Sequence, residues 1–367
     1  MFYPAVNVEL VLLHKGNYLM TLSKSSSALG ISLLLLSVVA PAADKADKEQ
    51  KKEKLAAESG NYPPVLWTKP TDIRSRDLFA GPGGKEHQPH GAFTFEEEDM
   101  NGTNPKMVVR DEDGVKWKVK LGAEAQPETV ATRIVWAAGY YADEDYFVHE
   151  IQINGLPDHL KRGQGQRGPH GSFQNVRMRR YLKGEDKLDT WSWKDNPFAG
   201  TKELNGLRAV MALVNNWDCE DKNNAVLVEQ KPAFTDHPVK IYEVRDLGAS
   251  FGTTGLNGNH KVDKGNLKSF DNSRFITKTG SDYVDFGDPG RPAMKVMFNV
   301  PEYVTRMHIQ WIGQHVPRQD ARWIGQVLMQ LSPDQVRDAF RAAGYDNLQI
   351  DGYSTALRDR IAQLAGL

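Results

Sequence analysis

Four side chains that could do chemistry stand in a fixed order along this chain: Lys120, Asp218, Asn223 and Asp246. Lys120 closes the alternating run Val115-Lys-Trp-Lys-Val-Lys-Leu121. Some way on, Asn216-Trp217-Asp218-Cys219-Glu220-Asp221-Lys222-Asn223 leads directly into the strand-like run 224–228. A second strand-like run, 239–244, feeds Arg245-Asp246-Leu247-Gly248. An ammonium offers a point charge to an anion, and carboxylate and amide oxygens suit a hard cation such as Mg²⁺. Taken singly, each piece has a plain structural explanation. Lysines on a strand face are ordinarily solvated, Glu128 suits the positive end of a helix dipole, and Asp and Asn crowd turns before strands. The order makes them a set.

That order, Lys, then Asp-x-x-x-x-Asn, then a hairpin ending in Asp-apolar-Gly, resembles the catalytic centre of the protein-kinase-like fold. His-Arg-Asp is absent, and Asn216-x-Asp218-x-x-x-Lys222-Asn223 is similar to the catalytic loop of HipA-type kinases, which reads Asn-x-Asp-x-His-x-Lys-Asn. Phosphatidylinositol kinases and the secretory-pathway and spore-coat kinases share the skeleton. Here Glu220 and Asp221 fill the middle of the loop, and its histidine is missing.

The resemblance implies a phosphotransferase, whose catalysis is mostly positioning and charge stabilisation around a triphosphate. It implies that Lys120 holds phosphates and that Glu128, or alternatively Glu124, orients the lysine. Asp218 would accept or orient the acceptor hydroxyl, and Asn223 and Asp246 would hold Mg²⁺ or Mn²⁺. The donor would be ATP or another nucleotide, the acceptor a hydroxyl on a protein, a glycan or a small molecule. Gly81-Pro82-Gly83-Gly84-Lys85 is the upstream candidate for the phosphate loop, with a spacing that departs from G-x-G-x-x-G. The literal Asp285-Phe286-Gly287 lies too far beyond Asn223 for one hairpin, so Asp246 is preferred. Two rival readings share the sequence: an inactive pseudokinase scaffold, and a cell-envelope glycan-binding protein built on strands and Trp191-Ser-Trp193, which would need no metal.

The elements that must position these residues follow from periodicity. Ala92–Phe95, Met107–Val109 and Val115–Leu121 read as strands, with Asp113-Gly114 as a hairpin turn. A helix is expected from Pro127 to Gly139, more strand over 146–153, and a Gly/Arg/His-rich loop over 155–172. Lys202–Val214 reads as helix, 224–228 and 239–244 as strands, 249–292 as loop, and the stretch from Pro301 as largely helical. The fold class is α+β and two-lobed: a strand-rich N-lobe over 62–154, a C-lobe over 155–320 carrying the loops, and C-terminal helices over 321–367.

The 367 residues carry 46 basic and 47 acidic side chains, a balance of −1 that argues against a nucleic-acid partner. Cys219 is the single cysteine, which excludes an internal disulfide framework and a multi-cysteine metal site; it reads as a small core residue. Lys24, the apolar run Ala28–Val39 and Ala40-Pro41-Ala42-Ala43 have the parts of a secretory signal, expected over 20–42 with cleavage near Ala42. That predicts an exported, periplasmic or extracellular protein, with residues 1–19 arising from a start codon placed too early. The run is too short for a membrane span, and no cysteine follows it to carry a lipid anchor. Residues 43–61 read as a charged, disordered tether. His87 and His90 read as loop histidines, Trp191 and Trp193 as buried packing, and Arg177-Met-Arg179-Arg180 as a solvated strand face.

Overall fold

The computed structural model describes residues 40–102, 104–181, 186–253, 263–287 and 300–367. The expected early start and the apolar run of the export signal lie outside the described residues. The first element, α1 (Ala40–Glu58), is helical where a disordered tether was expected. Its Ala, Lys and Glu are strong helix formers, so local propensity suffices without an apolar face to bury.

After the short β1 (Pro64–Val65) come β2 (Phe93–Asp99), β3 (Lys106–Arg110) and β4 (Lys116–Lys120). The helix α2 (Ala125–Ala137) and the short β5 (Tyr141–Ala142) lead to β6 (Asp145–Asn154) and β7 (Ser172–Arg180). Five of these strands close a barrel in the order β2-β3-β4-β7-β6, sealed by parallel pairing of Phe93 with Ile153. Strand alternation sends Met107, Val109, Trp117, Val119, Val176 and Met178 inward, where all are buried. The Trp117 indole donates to Asp111 Oδ2 at 2.8 Å, so its polar edge is satisfied inside. Gly114 turns β3 into β4 with φ +79°, as Asp113-Gly114 predicts. The first lobe does not end at residue 154: β7 sits between β4 and β6, and the barrel closes only at Arg180.

The remainder is more helical. The strand β8 (Asp186–Asp189) and the helix α3 (Lys202–Leu213) precede the hairpin β9 (Asn224–Glu229) and β10 (Val239–Val244). These strands form a sheet in the order β1-β10-β9-β8, with β5 also paired to β10. Between 249 and 292, expected as loop, lie α4 (Leu267–Asn272), β11 (Ile276–Thr279) and β12 (Tyr283–Phe286). Elements of four to six residues are too short to show a period in sequence. Then follow α5 (Val300–Ile309), β13 (Val316–Pro317), α6 (Arg318–Leu328), α7 (Pro333–Ala342) and α8 (Asn347–Ala365). Capping boxes, Ser332 with Gln335 and Asp346 with Gln349, start the last two helices. Every residue of α3 from Leu204 to Leu213 is buried, and α3 packs against α6 and α8. The architecture is α+β, strand-rich first and helix-rich after. Among the described residues no helix is long and apolar enough to cross a membrane.

The barrel core sets the first prediction. Trp117→Ala removes the largest barrel side chain and strands Asp111, so it should cost about 3–5 kcal/mol of stability. Urea unfolding followed by circular dichroism measures this; a loss under about 1 kcal/mol would contradict the barrel interior described here.

Candidate functional site: a buried lysine among three carboxylates

The strand register places cations side by side. Lys106 on β3 pairs with Lys120 on β4, and Lys120 pairs with Arg177 on β7; two residue pairs along, on the same face, Lys118 is opposite Arg179. Adjacent strands lie about 4.8 Å apart, and like charges directly opposite destabilise a sheet. Carboxylates answer this row from the neighbouring elements. The Lys120 ammonium, 1 % exposed, lies 3.0 Å from Glu124, 2.7 Å from Glu128 and 2.6 Å from Asp246. Arg177 reaches Glu128 at 2.8 Å and Asp145 at 3.1 Å, Arg179 reaches Asp143 at 2.9 Å, and Lys118 reaches Asp99 at 2.8 Å. Burial alone would drive Lys120 towards neutrality, but Glu128 and then Asp246 outweigh it and raise its pKa well above the ordinary value. For the same reason Asp246 is held well below the carboxylate range against its own burial.

The start of α2 supplies both glutamates, Glu124 at its N-cap and Glu128 one turn on, because positions i and i+4 share a face. Glu124 and Glu128 are therefore not alternatives: both contact the lysine. Glu124 also pairs with Lys264. Gly248, two residues after Asp246, has no room for a Cβ, since the Glu124 side chain lies 2.6 Å from where one would stand. Asp246 has φ +55°, a left-handed conformation that Asp tolerates better than most residues.

The loop before β9 and the turn after β10 meet because the hairpin pairs Asn224 with Val244. The Arg245 amide donates to the Asn223 carbonyl at 3.0 Å, closing that end. The Asn223 side-chain amide nitrogen donates to the Asp218 carbonyl at 2.9 Å, and the Asp218 amide donates to Asn216 Oδ1 at 3.1 Å. From α8, the buried Arg360 donates to the Asn215 side chain at 2.8 Å and so anchors the start of this loop. Burial, with Asp218 beside it and against the pull of Lys222, raises Glu220 above the usual carboxylate value.

Lys120, Glu128, Asn223 and Asp246 line one cleft of about 190 Å³. Asp218 lines neither cleft: its backbone carbonyl accepts from Asn223, while Glu220, Asp221 and Lys222 line a second cleft of about 330 Å³, with Lys222 common to both. Gly81, Gly83 and Gly84 are not brought to either cleft. Their turn packs on Arg133 of α2, and a Cβ on Gly83 would strike the Tyr146 hydroxyl, so these glycines answer packing needs. The connection that does approach the lysines is the β2–β3 turn, where Gly102 adjoins the Lys106 ammonium. Asp285 lies in the separate sheet β11-β12-β13 and accepts from the His315 amide at 2.6 Å. Glu124, Glu128 and Asp246 offer carboxylate oxygens within 4.8 Å of one another, close enough to share a divalent cation, and the Lys120 ammonium stands among them.

The residues that sequence reasoning missed are mostly cations. Arg177 and Arg179, expected on a solvated face, do lie on the outer face of the barrel but are buried there, because α2 and the Asp143–Asp145 segment cover it. Lys118, Lys187 and Arg245 also line the first cleft. Trp191 and Trp193 are buried 4.9 Å apart and form no exposed platform.

No protein-family profile matches the chain, and no curated protein sequence matches it. Among solved structures it has a remote resemblance to protein-kinase-like folds. A Helicobacter pylori proinflammatory kinase, CtkA, is 12% identical with a TM-score of 0.42, over 76% of this chain and 98% of that one. A Golgi casein kinase with Mn/ADP bound is 8% identical with a TM-score of 0.36, over 87% of this chain and 75% of that one. The Rio2 kinase–ADP/Mg²⁺-phosphoaspartate complex from Chaetomium thermophilum is 10% identical with a TM-score of 0.27, over 73% and 72% of the two chains.

The charge network has a pH signature. Both carboxylate oxygens of Asp145 are buried without an aligned hydrogen bond. Burial, reinforced by Glu128 and Asp143, pushes Asp145 up to about 7 although Arg177 pulls it down. A carboxyl with a raised folded pKa contributes stability below its unfolded value of about 3.9 and loses it as pH rises through the folded value. Asp145→Asn removes this titration. Relative to the parent, the variant should therefore gain at least about 1 kcal/mol between pH 4.5 and 7.5. Urea unfolding at the two pH values checks it, and a parallel pH dependence for the two proteins would refute it.

Proposed function

We propose that the chain is a phosphotransferase that moves a phosphoryl group from a polyphosphate-bearing donor to a hydroxyl acceptor. One observation carries the reading: a buried lysine is held between two helix carboxylates and Asp246, at the same hairpin end as Asn223. The hard oxygens of Asn223 and Asp246 on the rim of one cleft suit Mg²⁺ or Mn²⁺. Such an ion, when bound, would neutralise phosphate charge and fix its orientation.

The chain's own residues do the rest. Lys120 exchanges its contact with Asp246 for a donor phosphate oxygen while Glu124 and Glu128 keep its ammonium in place. Arg177 holds Glu128 through the pair at 2.8 Å. Asp218 takes the hydroxyl proton as the acceptor oxygen attacks. The acceptor enters from the second cleft, past Glu220 and Lys222, where the half-buried Trp311 adds an apolar wall.

A thermal-shift titration of the full chain with ATP and Mg²⁺ or Mn²⁺ tests this, beside Asp246→Ala and with a label-transfer assay on Asp218→Asn. Saturation at 100 times Kd stabilises the fold by about 2.7 kcal/mol. The shift should need metal and nucleotide together and vanish in Asp246→Ala, and Asp218→Asn should bind but lose transfer by 100-fold or more, on the order expected of a general base. The absence of a shift with any combination removes a nucleotide donor, and its absence with tripolyphosphate and metal as well removes the reading. A shift without transfer in the parent leaves a pseudokinase.

A further inference from the structure

The cleft that holds Lys120 is lined among the described residues by eight lysine and arginine side chains, three carboxylates and two asparagines. No apolar or aromatic side chain is among these. Pockets that take base-bearing or drug-sized ligands are mostly apolar and run to about 300–1,000 Å³, whereas this one measures about 190 Å³. Tyr181, which follows β7, has a ring face covered by the Arg179 guanidinium at 4.9 Å.

Two of the lining lysines stand outside the ion pairs. Among the described residues no carboxylate lies within ion-pair distance of Lys106 or Lys187, and burial lowers the pKa of both. Arg177 Nε is buried with no acceptor. A flat base laid here would bury cations against groups that accept few hydrogen bonds, which is costly. A run of phosphates offers an oxygen acceptor at every step, in charge-assisted bonds.

We infer that the donor drawn into this cleft is a compact chain of phosphates with no base attached, an inorganic polyphosphate; this rests on the phosphotransferase reading above and narrows its donor. The step balances without a co-reactant. The acceptor oxygen forms a bond to the terminal phosphorus, and the bridging P–O bond breaks. The shortened chain leaves with that electron pair, as pyrophosphate when the donor is tripolyphosphate. The hydroxyl proton goes to the Asp218 carboxylate.

Calorimetric titration of the full chain with tripolyphosphate and with ATP, each with Mg²⁺, tests the inference. Tripolyphosphate should bind at least about tenfold more tightly than ATP, a gap of about 1.4 kcal/mol. The double variant Lys106→Ala, Lys187→Ala should weaken tripolyphosphate at least about tenfold while melting within a few degrees of the parent, since neither lysine is ion-paired. ATP binding as tightly as tripolyphosphate, or more so, overturns the base-free donor and leaves the phosphotransferase reading standing. Tripolyphosphate binding that the double variant does not alter also overturns it, because the anion would then sit elsewhere. If neither anion binds, both readings fall together.

Discussion

Three cations stand in register across β3, β4 and β7, and two of them, Lys120 and Arg177, are almost wholly buried. At a strand spacing of about 4.8 Å and an effective dielectric of about 20, each neighbouring pair repels by about 3 kcal/mol. No sheet of ordinary stability tolerates that uncompensated, since a whole domain is stable by only about 5–15 kcal/mol. The surrounding elements supply the compensation: Glu124 and Glu128 from the N-cap and first turn of α2, Asp143 before β6 and Asp145 at its start, and Asp246 just after β10. Breaking such a network by deleting one member leaves a buried charge alone, which is far worse than never having had the pair.

This constraint also ties the barrel to the helical part. Lys120 belongs to the barrel and Asp246 to the hairpin, so their contact at 2.6 Å bridges the two. Asp246 is the more exposed partner, its side chain 36 % exposed against 1 % for the lysine. It is therefore the contact a ligand can most easily replace, while the two glutamates, deeper in, hold the lysine. The hairpin end that presents Asp246 also presents Asn223, and α8 anchors the adjoining loop through Arg360 and Asn215. On the phosphotransferase reading this arrangement lets a donor and a cation take up charges that the cleft already holds apart.

Much of this was legible in sequence where a short-range pattern carries the information. Val115–Leu121 alternates with period two and became β4; Asp113-Gly114 became its turn; the runs 224–228 and 239–244 became the hairpin. Of the ordered set, the fold places Lys120, Asn223 and Asp246 around one cleft, while Asp218 meets it only through the bond from Asn223 to its backbone carbonyl. What failed depends on the whole fold. A period-two pattern reads lysine and arginine as the water side, so the burial of Arg177 and Arg179 is invisible without the helix and acidic segment that cover that outer face of the barrel. Glycines announce a turn but not what it faces, and Gly81–Gly84 face Arg133 and Tyr146. The helix over Ala40–Glu58 was missed because low hydrophobicity was read as disorder, although its residues favour helix locally.

The central claim is that Lys120, Asn223 and Asp246 form one metal–phosphate site. Its most direct test is a crystal structure of the full chain grown with Mn²⁺ and tripolyphosphate, with anomalous data collected at the manganese edge. The account predicts an anomalous peak within coordination distance, about 2.0–2.3 Å, of Asp246 and Asn223 oxygens, with Lys120 moved off Asp246 onto a phosphate. A peak between Glu124 and Glu128 with the ammonium displaced, or phosphates bound away from Lys120, would contradict it.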